Sequence, residues 1–499
     1  MELYSLLEKR GKIQISIIRY LLDHNLTASH QAVIEDLKIS SFLFKTNVEE
    51  LETVLGEVDV KLALEIDWKQ EQLRLHKSNQ ADLDALYHYY LSSSNAYRVL
   101  VYLYWNQSYT IYDLAVELAL SEAVVYRLIN KLNTLLKEFH IKIWRGKIVG
   151  SELQICYFFF LLFWNASPLC EIQKKVNDQT SLRFVSYLEK LLKQNFTEVT
   201  RVKLYLWIRV IQTRGLQANM LEHKHQEIGL DPDQLNDPIY HSIRDAYFLV
   251  MSHSATFGSE YKATYLYLFV STMFVLEPFD NKLMKTDYWP TYNHQVITLN
   301  EMVVNHVKTF YNIRTEQIDP VFVTNWKYYL SQIHSRMLFF KGNITFFDDQ
   351  VLYDRFIKAM VYSPNLKLAQ SIVNYTESIL GFSLLEASKQ LSTRIYTYFI
   401  NQMQQFSQKR IIIGVFCNRD NLQTNMMVDN IRREFDTKFY IKVEEAVTNK
   451  PYDLLIADSD FALDIYTYED LYIINDFKTA TDTTALTELL HRYTQKEGN

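Results

Sequence analysis

Hydrophobic positions in the first 55 residues repeat at helical spacing. Ile15, Ile18, Leu21 and Leu22 fall on one helix face, and His24-Asn25 ends that helix. A short second helix is predicted over about Ser29–Leu37 and a third from Ser41, after Ile39-Ser40. The same layout returns 81 residues later. Val33, Leu37, Ile39 and Ser40 correspond to Leu114, Leu118, Leu120 and Ser121, and Phe44, Val48 and Leu51 to Val125, Ile129 and Leu132. Each copy reads as a helix-turn-helix whose serine caps the second helix by accepting from its first free N–H groups. Apolar residues four, eight and eleven positions beyond the serine pin that helix down. The intervening positions face outward, free to enter a major groove. In the first copy these are Ser41, Phe42, Lys45, Thr46 and Glu49; in the second they are Glu122, Ala123, Tyr126, Arg127 and Asn130, with Lys131 beside them.

After the second copy the period changes from helical to two. Ile141, Ile143 and Ile148 fall on one face of two short strands, with Arg145-Gly146 as the turn. This is the wing of a winged helix, and it places Arg145 and Lys147 to touch phosphate. The apolar run Cys156–Trp164, CYFFFLLFW, is about half of the ~18 residues a membrane span needs and reads as a buried core helix. From about 155 to 405 the pattern is nearly all helical. The Pro-bearing EPFDNKLMKTDYWPTYNH (Glu277–His294) separates two blocks of similar length. KLYLWIRVIQTR ends at Arg214 and WKYYLSQIHSR at Arg336, which makes the blocks look like a duplicated bundle. No period of about 20–50 residues recurs, as a solenoid would require. At Arg410 the character changes again. RIIIGVF, KFYIKV, YDLLIAD and DLYIIND read as strands, alternating with helices in LQTNMMVDNIRREF and TTALTELLHRYT, a small α/β domain with a largely parallel sheet.

The predicted fold is therefore multidomain and mainly α. Its parts are a helix-turn-helix domain (1–62), a winged helix-turn-helix domain (63–160), two helical bundles (161–284 and 285–405) and an α/β domain (406–499). A chain of 499 residues is too long for one ordinary core, and only 11 Gly and 8 Pro favour helices over a loop-rich β architecture. The net charge of −6 gives no global attraction for nucleic acid, so any such binding needs a local patch. Residues 121–150 supply one. Six cations (Arg127, Lys131, Lys137, Lys142, Arg145, Lys147) face Glu122 and Glu138, a net +4, whereas residues 1–120 carry 11 basic and 17 acidic side chains. The cysteines Cys156, Cys170 and Cys417, odd in number and widely spaced, argue against a disulfide framework or a zinc site. MELYSLLEKRGK shows no signal-peptide pattern, so a soluble cytoplasmic protein with no membrane partner is expected.

The paired helix-turn-helix units, the run INKLNTLLKEFHIKI and the GSELQICYFFFLLFW leading out of the wing resemble the Mga family of Gram-positive transcription regulators, which includes the AtxA type. The resemblance spans essentially the whole chain and is most specific at 100–165. It implies DNA binding and transcription activation, often of virulence or metabolic genes. It also implies two phosphotransferase-regulation domains (PRD), a C-terminal domain like the phosphotransferase-system (PTS) component EIIB, and homodimerisation through that end. The implied partners are double-stranded DNA, a second copy and PTS phosphocarrier proteins, with no cofactor and no catalysis. Regulation domains usually carry a phosphorylated histidine about seven residues before an arginine. Counting back from Arg214 and Arg336 gives Trp207 and Tyr329, which leaves His241 and His334 as candidates for regulatory phosphorylation. An active EIIB component holds a phosphate on a cysteine after its first strand. Cys417 follows RIIIGVF, but CNRDNLQT has no glycine to let the backbone close round phosphate. A role in dimerisation or sensing is expected there instead.

Two other functions fit parts of the pattern. An RNA antiterminator shares the regulation domains, but such proteins begin with a small β-rich RNA module, whereas residues 1–150 read as helices with a wing. A phosphotransferase component would relay phosphate through His and Cys, against which stand the glycine-free loop at Cys417 and the missing histidines.

Overall fold

The computed structural model describes residues 1–106, 108–176, 178–215, 232–251, 259–276, 293–347, 350–360, 363–407, 411–418, 421–435, 439, 441–474 and 479–495. Met1–Val303 with Val321–Ile395 form one compact unit, and Val304–Pro320 with Tyr396–Asn499 a second. The chain is mainly α with a C-terminal α/β domain, as the periodicity predicts.

Helix α1 (Lys9–Asp23), strand β1 (Thr27–Ser29), helices α2 (His30–Leu37) and α3 (Ser41–Glu57), and the hairpin of β2 (Leu62–Asp67) and β3 (Gln72–Lys77) follow in order. Ile15, Ile18 and Leu21 are fully buried on α1. The sheet is antiparallel with β3 in the middle, Ala28 opposite Leu73 and Leu64 opposite Leu75. This hairpin corrects the sequence reading, because the first helix-turn-helix is winged too. The expected boundary at residue 62 falls on the first residue of β2, and the sheet continues to Lys77. Leu62, Leu64, Leu73 and Leu75 are buried while Ala63, Glu65, Arg74 and His76 are exposed. Four leucines in two short alternating runs are easily lost among longer helical signals.

The second copy consists of α4 (Asp84–Ser93), α5 (Asn95–Trp105), α6 (Ile111–Leu118), α7 (Glu122–Leu136) and the hairpin of β4 (Lys142–Trp144) and β5 (Lys147–Val149). Thr110 and Asp113 close a capping box at the start of α6. Both turns pass through the left-handed region at equivalent places, Lys38 (φ 54°) and Ala119 (φ 52°). Glycine usually marks that position; its absence leaves the turn without its ordinary sequence signal. Ser40 caps α3 as expected, its Oγ accepting from the Leu43 N–H at 3.2 Å. Ser121 takes the same place before α7, but its side chain makes no capping bond. Glu122 in the first turn complements the helix dipole there instead.

Helix α8 (Glu152–Ala166) contains the apolar run, and Leu153 through Leu162 are all buried. Among the described residues no helix is long and apolar enough to cross a membrane. The first bundle comprises α9 (Leu169–Val176), α10 (Gln179–Leu192), α11 (Glu198–Gly215), α12 (Pro238–Met251) and α13 (Ser259–Val270). Trp207 of α11 stacks on Phe269 of α13 at 4.7 Å and meets Phe160 of α8 edge-on at 5.9 Å. The second helical block comprises α14 (His294–Phe310), α15 (Pro320–Phe339), α16 (Gln350–Met360), α17 (Pro364–Leu380) and α18 (Glu386–Gln404). The expected boundary at 284/285, with most of its Pro-bearing segment, lies outside the described residues.

The arginines that mark the duplication both end on α8. Arg214 forms a forked ion pair with Glu152 at 2.9 and 3.1 Å. Arg336 donates to the Tyr157 hydroxyl at 3.2 Å and to Asn343 Oδ1 at 3.0 Å. The segment after α15 then runs as a strap across the two winged units. Phe340 stacks on Tyr157 at 4.3 Å, and the Gln154 amide pairs with both backbone groups of Lys341. The Asn343 N–H donates to Glu138 at 3.1 Å. Phe346 stacks on Tyr87 of α4 at 4.2 Å, and the Arg19 guanidinium of α1 lies 3.8 Å from the Phe347 ring centre. Nothing in the periodicity of 340–347 announced this.

The α/β domain has β6 (Ile411–Phe416), α19 (Asn421–Phe435), β7 (Ile441–Glu445), β8 (Pro451–Ala457), β9 (Thr467–Ile473) and α20 (Ala480–Gln495). Its sheet is parallel throughout, in the order β7-β6-β8-β9. The strand read from KFYIKV, β7, lies at an edge, and Lys438 and Tyr440 fall outside the described residues.

Candidate nucleic-acid interface

In α7, Val125, Leu132 and Leu136 are fully buried and Ile129 is 9% exposed, which fixes the opposite face outward. Glu122, Ala123, Tyr126, Arg127, Asn130 and Lys131 are all exposed on it, as the spacing predicts. The wing follows through a short 3-10 turn (Lys137–Phe139). Ile143 lies opposite Ile148 with both side chains buried, and Trp144 opposite Lys147 with both exposed. Arg145 (φ 47°) and Gly146 (φ 76°) make the turn, and both central residues are left-handed. The Tyr109 N–H donates to the Gly146 carbonyl at 3.0 Å, docking the turn against the segment before α6.

Helix and wing are locked together by a side chain the sequence reading passed over. The Asn133 amide donates to the Ile143 carbonyl at 3.0 Å and accepts from the Ile143 N–H at 2.6 Å. A polar residue between Leu132 and Leu135 was its only sequence signal. Losing a partly buried pair of this kind costs ~1–3 kcal/mol. In Asn133→Ala the Ile143 amide should exchange faster with solvent while α7 stays helical. An unchanged exchange rate would show that the amide clamp is dispensable.

Trp144 is a second residue the sequence reading missed. It is 55% exposed, with Lys142 Nζ 5.3 Å and Arg145 Cζ 5.7 Å from its ring centre. A flat, cation-flanked ring at the wing tip can lie against a sugar or groove wall while both cations meet phosphate. Lys131 sits at the seam with α1. Partial burial, with the Lys12 ammonium as a further cause, holds its pKa below the usual lysine value. The Glu8 carboxylate offsets these two effects in part.

The first unit presents a different surface. Ser41, Phe42 and Lys45 are exposed, Phe42 at 77%, and Thr46 is partly covered. The Lys45 ammonium stands 4.0 Å from Glu49 and 5.6 Å from the ring centre of Trp68, at the turn of the first wing. The Thr46 hydroxyl donates to the Phe42 carbonyl at 3.1 Å. This face thus offers one cation, already in contact with an acid and an aromatic ring.

The other candidate positions separate clearly. Trp207 is wholly buried, so the place where a phosphorylatable histidine was sought holds a core residue. His334 is also wholly buried, its Nδ1 2.7 Å from Asn300 Oδ1, and burial pushes its pKa down to about 3. A phosphoryl donor would reach that ring only by opening the bundle. His241 is exposed, on α12. At the end of β6 the Cys417 thiol donates to Asp458 Oδ2 at 3.0 Å, and the Asn418 N–H to Asp458 Oδ1 at 2.9 Å. Burial would raise the Asp458 pKa, but these hydrogen bonds outweigh it and hold it low. A carboxylate therefore lies where a phosphate on Cys417 would need donors. Residues 419 and 420 of that loop are outside the described residues.

Residues 79–163 match the family model of the Mga helix-turn-helix domain, beginning two residues after β3. A protein of Streptococcus pneumoniae serotype 4 (strain ATCC BAA-334 / TIGR4), described as a "Putative trans-acting regulator", is 19% identical over 498 residues. The similarity covers 91% of this chain and 92% of that protein. The chain thus carries a Mga helix-turn-helix domain and is similar to a regulator along nearly its whole length, which supports a Mga-like regulator family.

Proposed function

We propose that this chain is a DNA-binding transcription regulator of the Mga type, an activator that grips duplex DNA through two winged helix-turn-helix units. The observation that carries the reading is the second unit. Arg127, Asn130 and Lys131 project from a helix whose other face is buried, and the clamped wing beside it presents Lys142, Arg145 and Lys147 around an exposed Trp144. The domain match over residues 79–163 supports the same assignment. The second unit then supplies most of the affinity and the first, whose helix α3 turns one cation outward, acts as an accessory reader. Fluorescence anisotropy with promoter duplexes at rising salt tests this. Log affinity should fall linearly with log salt, since each phosphate contact releases condensed counterions. Absence of salt-sensitive duplex binding, or stronger binding to an RNA hairpin, would remove the reading in favour of the antiterminator.

The finer parts of the proposal concern regulation and assembly. The exposed His241 is the candidate that a PTS phosphocarrier protein could reach without unfolding. The parallel sheet of the α/β domain leaves β7 at one edge, which supports an EIIB-like domain that serves as a homodimer seam. The full chain should sediment as a dimer, and a chain ending at about Gln408 as a monomer with weaker DNA binding. A truncated chain that remains dimeric would move the seam elsewhere.

A further inference from the structure

A cavity of about 890 Å³ lies among α5 and α6 of the second winged unit and α8, α9 and α11 beyond it. That volume is in the range of sites that enclose small molecules. Two guanidiniums line it, Arg98 from α5 and Arg209 from α11. Neither makes an ion pair with a carboxylate among the described residues. Arg98 reaches only neutral acceptors at the limit of hydrogen bonding, Asn95 Oδ1 at 3.4 Å and the Glu117 carbonyl at 3.3 Å. Arg209 lies over the Trp105 ring, 5.6 Å from its centre. Both are only partly exposed, so neither charge is fully hydrated. Partly desolvated cations without counter-charges are costly, and an anion relieves that cost. The rest of the wall is mixed: Tyr97, Phe163 and the half-exposed ring of Trp105 give it a flat apolar side, while His88, Asn106 and the acid Glu117 are polar members of the same lining.

We propose that this cavity binds a small organic anion with a planar, apolar body. Its carboxylate or phosphate head would lie between Arg98 and Arg209, and its body against the aromatic wall. The place matters for regulation. Glu117 and Leu118, at the end of the first helix of the second helix-turn-helix, line one side. The opposite side is α11, whose Arg214 is fastened to Glu152 of α8. A ligand therefore bridges the DNA-reading unit and the first bundle, and its occupancy changes duplex affinity. That regulatory consequence rests on the DNA-binding reading; occupancy of the cavity does not.

The test uses the full chain and isothermal titration with indole-3-acetate and adenosine monophosphate as flat anions. Neutral indole and inorganic phosphate serve as controls for body alone and head alone. At least one flat anion should bind, at least about tenfold tighter than either control, a difference of ~1.4 kcal/mol. Arg98→Gln with Arg209→Gln should abolish that margin while the melting temperature stays within a few degrees of the parent. Whether the carboxylate or the phosphate probe binds identifies the head group. Failure of both flat anions at millimolar concentration, or equal binding by the folded double variant, overturns the site. Duplex affinity measured with and without the bound probe gives the regulatory half, and an unchanged value overturns that half. If the ligand-free chain binds no duplex at all, it is the DNA-binding reading that fails.

Discussion

The double variant Arg127→Ala, Lys131→Ala should lose about 30- to 1,000-fold in duplex affinity, ~2–4 kcal/mol for one groove-facing and one phosphate-facing cation. Its log–log salt slope should be smaller by up to about two, at ~0.9 per phosphate contact. The fold should not suffer. Arg127 is exposed and Lys131 partly so, and among the described residues neither belongs to an ion pair or hydrogen bond that holds α7 in place. Lys131 is, if anything, disfavoured in the free protein. Partial burial and the nearby Lys12 hold its pKa down against the pull of Glu8, so its removal should cost the free protein little. Binding and stability are thus expected to part company, and measuring both distinguishes a groove-facing helix from a merely solvated one. A variant that keeps its affinity and its salt slope would take α7 out of the groove.

The parts of this fold that could be read in the sequence are those that repeat along one dimension. Val125, Ile129 and Leu132 define a helix face by spacing alone, and every outward position derived from them is exposed in the structure. Wing strands β4 and β5, apolar helix α8 and the parallel sheet followed from the same logic. The first wing was missed because its period-two runs are short and carry Glu65, Asp67 and Arg74 in place of a cationic turn. The clamp of Asn133 on Ile143 is a contact ten residues apart between different element types, which periodicity does not encode. Ser121 shows a subtler limit: the sequence placed it correctly at the helix start, but its rotamer does not cap. His334 shows the converse. Only the packed bundle reveals that a histidine beside Ser335 and Arg336 faces Asn300 in the interior.

Gly342 should tolerate no side chain, and a substitution there should loosen the strap that ties α15 to both winged units. Its φ is +82°, and a Cβ would meet the Phe139 ring at 2.6 Å. Phe139 cannot easily retreat: it is wholly buried and packs edge-on to Phe158 at 5.1 Å. Left-handed backbone costs a non-glycine residue ~1–2 kcal/mol, and overpacking a rigid site adds ~1–3 kcal/mol. Gly381 isolates the first of these. It ends α17 at φ +74°, and no atom of the described residues lies within 4 Å of its would-be Cβ. Gly381→Ala should therefore lower the melting temperature slightly, and Gly342→Ala clearly more. Only the latter should speed amide exchange at Lys341 and Asn343, whose N–H groups donate to Gln154 and Glu138. Duplex affinity should fall with it. The strap touches α1 through Arg19 and α4 through Tyr87, and two linked readers lose their joint advantage when their spacing slackens. If the two glycine variants melt alike and exchange alike at these amides, the strap is not seated on Phe139, and the coupling between the second bundle and the DNA-reading half must run through α8 alone.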